Sequence, residues 1–142
     1  MAQIISSLGD IAEQYDAVFC DLWGCYHNGI APFPEAVSAL QAFRKRGGAV
    51  ILLTNAPRPW PSVARQLEKM GAPQDSWDAI VTSGDSARVA LFQGVIGEKV
   101  YFIGARHDQT FFEPPKVLAA PTKVTQVPLE EAEGIVCTGP FE

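Results

Sequence analysis

An α/β fold with a largely parallel sheet is predicted by three observations. Short apolar runs, read as strands, alternate with segments that repeat apolar residues at helical spacing. The runs are consecutive rather than alternating, as in strands covered on both faces. Glycine or proline punctuates nearly every junction. Strands and helices in this order give right-handed crossovers.

The elements follow in order. Ser7 and Asp10 have capping-box spacing, and Leu8, Ile11 and Tyr15 then share one face of a short predicted helix. AVFCDL, from Ala17, is the first strand. Pro34 suits the first position of a helix whose inner face is Val37, Leu40 and Phe43, and Gly47 and Gly48 stop it. AVILLTN, from Ala49, repeats the strand pattern. Pro57, Pro59 and Pro61 hold the next loop open, SVARQLEKM buries Val63, Leu67 and Met70, and Gly71 caps it. AIVTSGD is the third strand, a Thr82 to Asp85 capping pattern opens the helix SARVALFQG, KVYFIGA is the fourth strand and GIVCTG the fifth. Between these last two, Pro114, Pro115, Pro121 and Pro128 predict an irregular connection with one edge strand around Lys123 to Val127. Pro140, Phe141 and Glu142 follow that fifth strand directly, so cover for it is expected from another chain or from a longer protein.

Composition narrows the function classes. The 142 residues suit one ordinary domain, and 47% hydrophobic content with eight Phe, three Trp and three Tyr supplies a core. The formal charge of −5 leaves no electrostatic footprint for nucleic acid. The one tight basic cluster, Arg44 to Arg46, closes a predicted helix, where cations suit the dipole. The N-terminus has no cationic leader, no long uninterrupted apolar window occurs, and a membrane role is therefore not expected. Cys20, Cys25 and Cys137 lack CxxC spacing and read as small buried hydrophobes of a reducing compartment, which predicts a cytoplasmic protein.

Ligands of open α/β sheets bind beyond the carboxyl ends of the strands. The residues at those ends are Asp21, then Thr54 with Asn55, then Ser83 and Asp85. An acid, a hydroxyl and an amide on one rim suit an anion, with a carboxylate in attacking distance and a cation to cancel charge. Ser83 and Asp85 also have helix-cap chemistry. His27, in the run His-Asn-Gly, has the chemistry of a turn.

FCDLWGCYHNG followed by VILLTNAPRP resembles motifs I and II of the haloacid dehalogenase superfamily, in the class IIA branch that includes NagD-like sugar phosphatases. VTSGDSARVAL, KVYFIG and GIVCTG are similar to that branch in order and spacing. The resemblance implies a Rossmann-like core over residues 1–98, holding motifs I and II, and the start of an incomplete C2-type cap over residues 99–142. It implies that Asp21 is the nucleophile, forming an aspartyl-phosphate and ligating Mg²⁺, with the backbone carbonyl of Trp23 as a second ligand. Thr54 would hold the transferring phosphoryl group and Asn55 would lie in the substrate loop. The implied activity is hydrolysis of a small phosphate monoester, a sugar phosphate among the candidates.

The sequence departs from that pattern at Trp23, where such phosphatases usually carry an acid that protonates the leaving group. General acid–base assistance is worth roughly 10²–10⁴-fold. His27 is the nearby side chain with a suitable pKa to replace it. The family's later lysine and acidic motifs lie beyond this sequence, which predicts weak Mg²⁺ binding and an inactive chain in this form. Its partners would be a homo-oligomeric copy or a missing C-terminal part. The alternative expectation is a non-catalytic phosphate-binding or regulatory domain.

Overall fold

The computed structural model describes residues 4–139. The chain forms two compact units, one from its N-terminal portion through Thr54 together with Pro61–Val81, the other from Asn55–Trp60 together with the portion from Thr82 onward.

The first unit is built on strands β1 (Ala17–Asp21), β2 (Ala49–Thr54) and β3 (Ala79–Thr82), in the spatial order β1-β2-β3. β1 and β2 are parallel, with Ala17 opposite Ala49 and Asp21 opposite Leu53. One face of this sheet is buried: Val50 and Leu52 are both 0% exposed. Helix α1 (Pro34–Lys45) buries Leu40 and Phe43, and α2 (Trp60–Lys69) buries Val63 and Leu67, the positions their periodicity predicts. Pro34 sits in the first turn of α1, where its missing N–H costs nothing. Gly47, with φ +98°, turns the chain out of the helix and toward β2 through a backbone shape that glycine alone takes without strain.

The basic residues that close α1 are engaged locally. Arg46 stacks over the Phe43 ring at 4.5 Å and donates to the Tyr15 carbonyl at 3.0 Å. Arg44 donates to Asp78 Oδ1 from Nη2 at 2.6 Å and from Nε at 3.0 Å, and to the Asp75 carbonyl. Asp78 Oδ2 accepts the Val50 N–H at 2.7 Å, so this carboxylate ties α1 to the second strand. The Arg44 bond and then the Val50 amide hold the Asp78 carboxyl below its ordinary value of 3.8. Its contribution to stability is therefore complete above that ordinary value and is lost as pH falls through the depressed one. Thermal melts from about pH 5 downward should show Asp78→Asn with a flatter acid limb than the parent. Parallel limbs would mean that the pair contributes nothing.

The N-terminal segment differs from expectation. Asp10 accepts the Ser6 and Ser7 N–H groups at 2.8 and 3.1 Å, as the capping spacing predicted. The segment then forms two three-residue 3-10 turns, Leu8–Asp10 and Ala12–Gln14, instead of one α-helix. Tyr15 is 55% exposed, and Ala12 is the residue that buries. A segment this short cannot offset the cost of helix nucleation.

The second unit carries helix α3 (Ser83–Phe92) and strands β4 (Lys99–Ile103), β5 (Thr125–Gln126) and β6 (Gly134–Cys137). β4 lies in the middle of a sheet ordered β5-β4-β6, parallel to both neighbours. The strands after residue 98 thus make a sheet of their own rather than extending the first. Leu91, Phe92, Val100, Phe111 and Val136 form its core. The proline-rich stretch yields only the short edge strand β5 and a 3-10 turn at Leu129–Glu131, as its composition predicts. Thr82 Oγ1 accepts the Asp85 N–H at 2.9 Å, and α3 begins at Ser83, sooner than the periodicity suggested. No helix among the described residues is long and apolar enough to cross a membrane.

Candidate active site

β1 delivers Asp21 to its carboxyl end, where the residue is exposed while the following Leu22 is 3% exposed. Asp21 Oδ1 accepts the Leu22 N–H at 2.8 Å, which fixes the carboxylate at the mouth of the turn. The chain then folds back tightly: the N–H groups of Tyr26 and His27 both donate to the Leu22 carbonyl, at 2.9 and 3.0 Å. Gly24 takes φ +79° and donates to the His27 carbonyl at 2.9 Å.

Tyr26 anchors this loop. It is 0% exposed, and its hydroxyl lies 2.7 Å from Ser76 Oγ, which donates in turn to the Pro73 carbonyl at 2.7 Å. Because Ser76 spends its proton on Pro73, the tyrosine is the donor in the first bond. Burial, the largest influence on it, pushes the phenol's pKa up. Nothing in the sequence singles out Tyr26, which shares this loop with a second aromatic residue, Trp23. Tyr26→Phe should cost about 1 kcal/mol, the net worth of one buried hydrogen bond, in a urea titration.

His27 is 5% exposed, and its Nδ1 accepts the Gly29 N–H at 3.0 Å, so the neutral ring carries its proton on Nε2. Burial holds its pKa below the usual imidazole value, against a weaker opposing pull from Asp21. Asn28 Oδ1 accepts the N–H groups of Ile30 and Ala31, both at 2.9 Å. The His-Asn-Gly run is turn chemistry, as its composition predicts.

Trp23 is 67% exposed, and its ring meets the His27 ring edge to face, with centroids 5.7 Å apart. The indole lies over Gly29: a Cβ there would stand 2.2 Å from Trp23 Cζ3, and Gly29 has φ +89°. The side chain at this position packs against its own loop.

Thr54 ends β2 and is half-buried. Since Leu53 is the Cα partner of Asp21, the sheet places Asp21 and Thr54 at the ends of adjacent parallel strands within one unit. Asn55 falls in the other unit, where its carbonyl accepts from Ser83 Oγ at 2.9 Å. Asp85 accepts the Trp60 N–H at 2.7 Å and pairs with Arg88 at 3.1 Å. Ser83 and Asp85 therefore hold the start of α3 to the loop before α2, which accounts for both. Cys20, beside Asp21, is half-buried; its thiol contacts the Asp21 carbonyl at 3.2 Å, and burial pushes its pKa up to about 11.

Among the described residues no cluster of three or more His, Cys, Asp or Glu is placed to hold a metal ion. The Asp21 carboxylate and the Trp23 carbonyl are oxygen donors of the kind Mg²⁺ takes. They account for only part of an octahedral shell, the rest of which would fall to water and ligand oxygens.

Comparison with known proteins bears on these strand ends. The haloacid dehalogenase-like hydrolase family matches residues 18–114, which include Asp21, Trp23, Thr54 and Asn55. The crystal structure of a hydrolase of the haloacid dehalogenase-like family from Brucella suis 1330 superposes with a TM-score of 0.85 at 36% identity. The alignment covers 99% of this chain and 50% of that one, so the chain spans about half the length of the structure it matches. No curated protein matches. With a parallel sheet that ends on Asp21 and Thr54, and a family match over most of its length, the chain belongs to the haloacid dehalogenase-like hydrolases.

Proposed function

We propose that Asp21 is the nucleophile of a phosphohydrolase in the class IIA, NagD-like branch, acting on a small phosphate monoester such as a sugar phosphate. The observation that supports this reading is the register of β1 and β2, in which exposed Asp21 lies opposite Leu53, one residue before Thr54 at the end of the adjacent parallel strand. In this mechanism an Asp21 carboxylate oxygen attacks phosphorus in line, the ester oxygen leaves with a proton, and water then hydrolyses the aspartyl-phosphate to restore the carboxylate. Thr54 donates to the phosphoryl oxygens, and Asn55 lines the substrate loop. Mg²⁺, held by Asp21 and the Trp23 carbonyl, would neutralise charge on the phosphoryl group. Residues 99–142 are read as the opening of the cap that selects the substrate; the unit to which they belong also takes in α3. The setting proposed is the cytoplasm.

The indole of Trp23 cannot supply the leaving group's proton, and His27, whose Nδ1 accepts from Gly29 and whose remaining proton is on Nε2, is only 5% exposed. Water is left to serve, at a cost of about 10²–10⁴-fold in rate. Assayed with Mg²⁺ on a panel of phosphate monoesters, a longer protein that carries these residues together with the family's later motifs should turn over and show a phosphoryl adduct by intact mass, whereas this chain alone should be inactive. Asp21→Asn should remove the adduct and lower turnover by at least about 10³-fold. Turnover that survives that substitution would defeat the assignment.

Trp23 favours a second reading, a phosphate-binding or regulatory domain that has lost proton transfer. Under it, calorimetry shows phosphate binding that depends on Thr54, with neither adduct nor turnover.

A further inference from the structure

An alkoxide is a poor leaving group. An alcohol, like water, holds its proton to a pKa of about 16, so the ester oxygen of an alkyl phosphate needs a proton as its bond to phosphorus breaks. A carboxylate or a phenolate departs without that help far more readily, because their acids have pKa values of about 4 and about 10. Which donors react therefore depends on whether an acid stands beside the nucleophile.

The turn that carries Asp21 is poor in such acids. Asp21 Oδ1 accepts the Leu22 N–H, and no hydrogen bond engages Oδ2 among the described residues, which leaves one oxygen of an exposed carboxylate for attack. The Tyr26 hydroxyl is 0% exposed and donates to Ser76. His27 is 5% exposed, with its basic nitrogen, Nδ1, already taken by the Gly29 N–H. The Cys20 thiol is half-buried and contacts the Asp21 carbonyl. Trp23, 67% exposed, presents an indole whose N–H donates hydrogen bonds without ionising. Cys25, exposed, is the one thiol of the turn outside these contacts.

We infer that Asp21 takes its phosphoryl group from donors whose leaving group departs as a stable anion, acyl and aryl phosphates ahead of alkyl ones, and that the aspartyl-phosphate then persists. The inference rests on Asp21 being the nucleophile, and it narrows the donors proposed above by putting phosphates of sugar alcohols at the slow end. In the first step an Asp21 oxygen bonds to phosphorus, the donor's P–O bond breaks, and the carboxylate or phenolate leaves with the electron pair and no proton. In the second, a water oxygen bonds to phosphorus and Asp21 departs as its carboxylate; one of the water's protons stays on the phosphate and the other passes to solvent. That second step calls for a base, and the side chains that fail as acids fail here too. Each missing proton transfer costs about 10²–10⁴-fold. A good donor escapes the first penalty but not the second, so the adduct accumulates.

The test uses the longer protein that carries these residues together with the family's later motifs, with Mg²⁺ present. Adduct formation and loss are followed by rapid quenching and intact mass, with acetyl phosphate, phenyl phosphate and glycerol phosphate as donors. Acetyl and phenyl phosphate should phosphorylate the protein at least about 10²-fold faster than glycerol phosphate, and with acetyl phosphate the adduct should occupy most of the protein at steady state. This donor series needs no variant. Trp23→Asp, which adds a carboxyl and keeps the main-chain carbonyl, should cut both the preference and the lifetime of the adduct by at least about tenfold. Cys25→Ser should change neither. Glycerol phosphate reacting as fast as phenyl phosphate, an adduct lost as fast as acetyl phosphate forms it, or a preference that steepens in Cys25→Ser overturns the inference while Asp21 stands as nucleophile. An adduct that survives Asp21→Asn, or none from any donor, defeats the nucleophile and the inference together.

Discussion

Replacing Arg88 by methionine should cost the second unit about 2–4 kcal/mol in a denaturant titration. The residue is 7% exposed, in the middle of α3, and its guanidinium is the hub of that unit. Nη1 meets Asp85 Oδ1 at 3.1 Å, Nε donates to the Phe111 carbonyl at 3.3 Å, and Nη2 donates to the Glu113 carbonyl. These bonds fasten the 3-10 segment Arg106–Phe112 to the helix and place Phe111 in the core. Methionine retains the packing of the arginine stem. It leaves two carbonyls and a carboxylate without their donor, and an unmade bond in the interior is costlier than a made one is favourable. Lysine should fall between the two, since one ammonium cannot span the directions of a planar fork. A loss below about 0.5 kcal/mol for methionine would show that water takes over the guanidinium's role.

Gly84→Ala should destabilise the same unit by about 1–3 kcal/mol, against the direction of helix propensity. Alanine in a helix is ordinarily favoured over glycine by about 1 kcal/mol. Here the added Cβ would stand 2.0 Å from the Pro57 carbonyl oxygen and 2.3 Å from its carbon, both backbone atoms. Neither can rotate away, so α3 must move off the loop, and the Gly84 N–H bond to the Ala56 carbonyl, 3.1 Å long, goes with it. A stability gain would mean that the loop yields freely.

How much of this was legible before any coordinates follows from what periodicity encodes. Leu40, Phe43, Val63 and Leu67 are buried as their spacing says, because a helix facing one sheet must repeat its apolar residues along one stripe. Asp21 and Thr54 were readable as strand ends because each closes an apolar run. Strand partners were not: an apolar run never says which strand lies beside it, so the setting apart of residues 99–142 came from the family resemblance and their strand order from neither. Pairings between distant residues escaped for the same reason. Tyr26 and Ser76 stand fifty positions apart, and nothing local to either announces the bond. Arg88, flanked by alanine and valine, reads as a solvated helix charge, and only the carbonyls at Phe111 and Glu113 make it an interior one.

The half-buried thiol beside Asp21 bears on how the strand end would meet an electrophile. With its pKa raised to about 11, Cys20 stays protonated under physiological conditions and contributes almost no thiolate, the form that reacts. Cys25 and Cys137 are exposed, not buried as their sequence surroundings suggested, and a soft reagent therefore finds them well before it finds this sulfur. Under the proposed mechanism, an incoming phosphorus centre would meet the Asp21 oxygen without competition from this thiol. Alkylation under mild conditions can accordingly silence the surface sulfurs and leave the carboxylate's chemistry open to inspection.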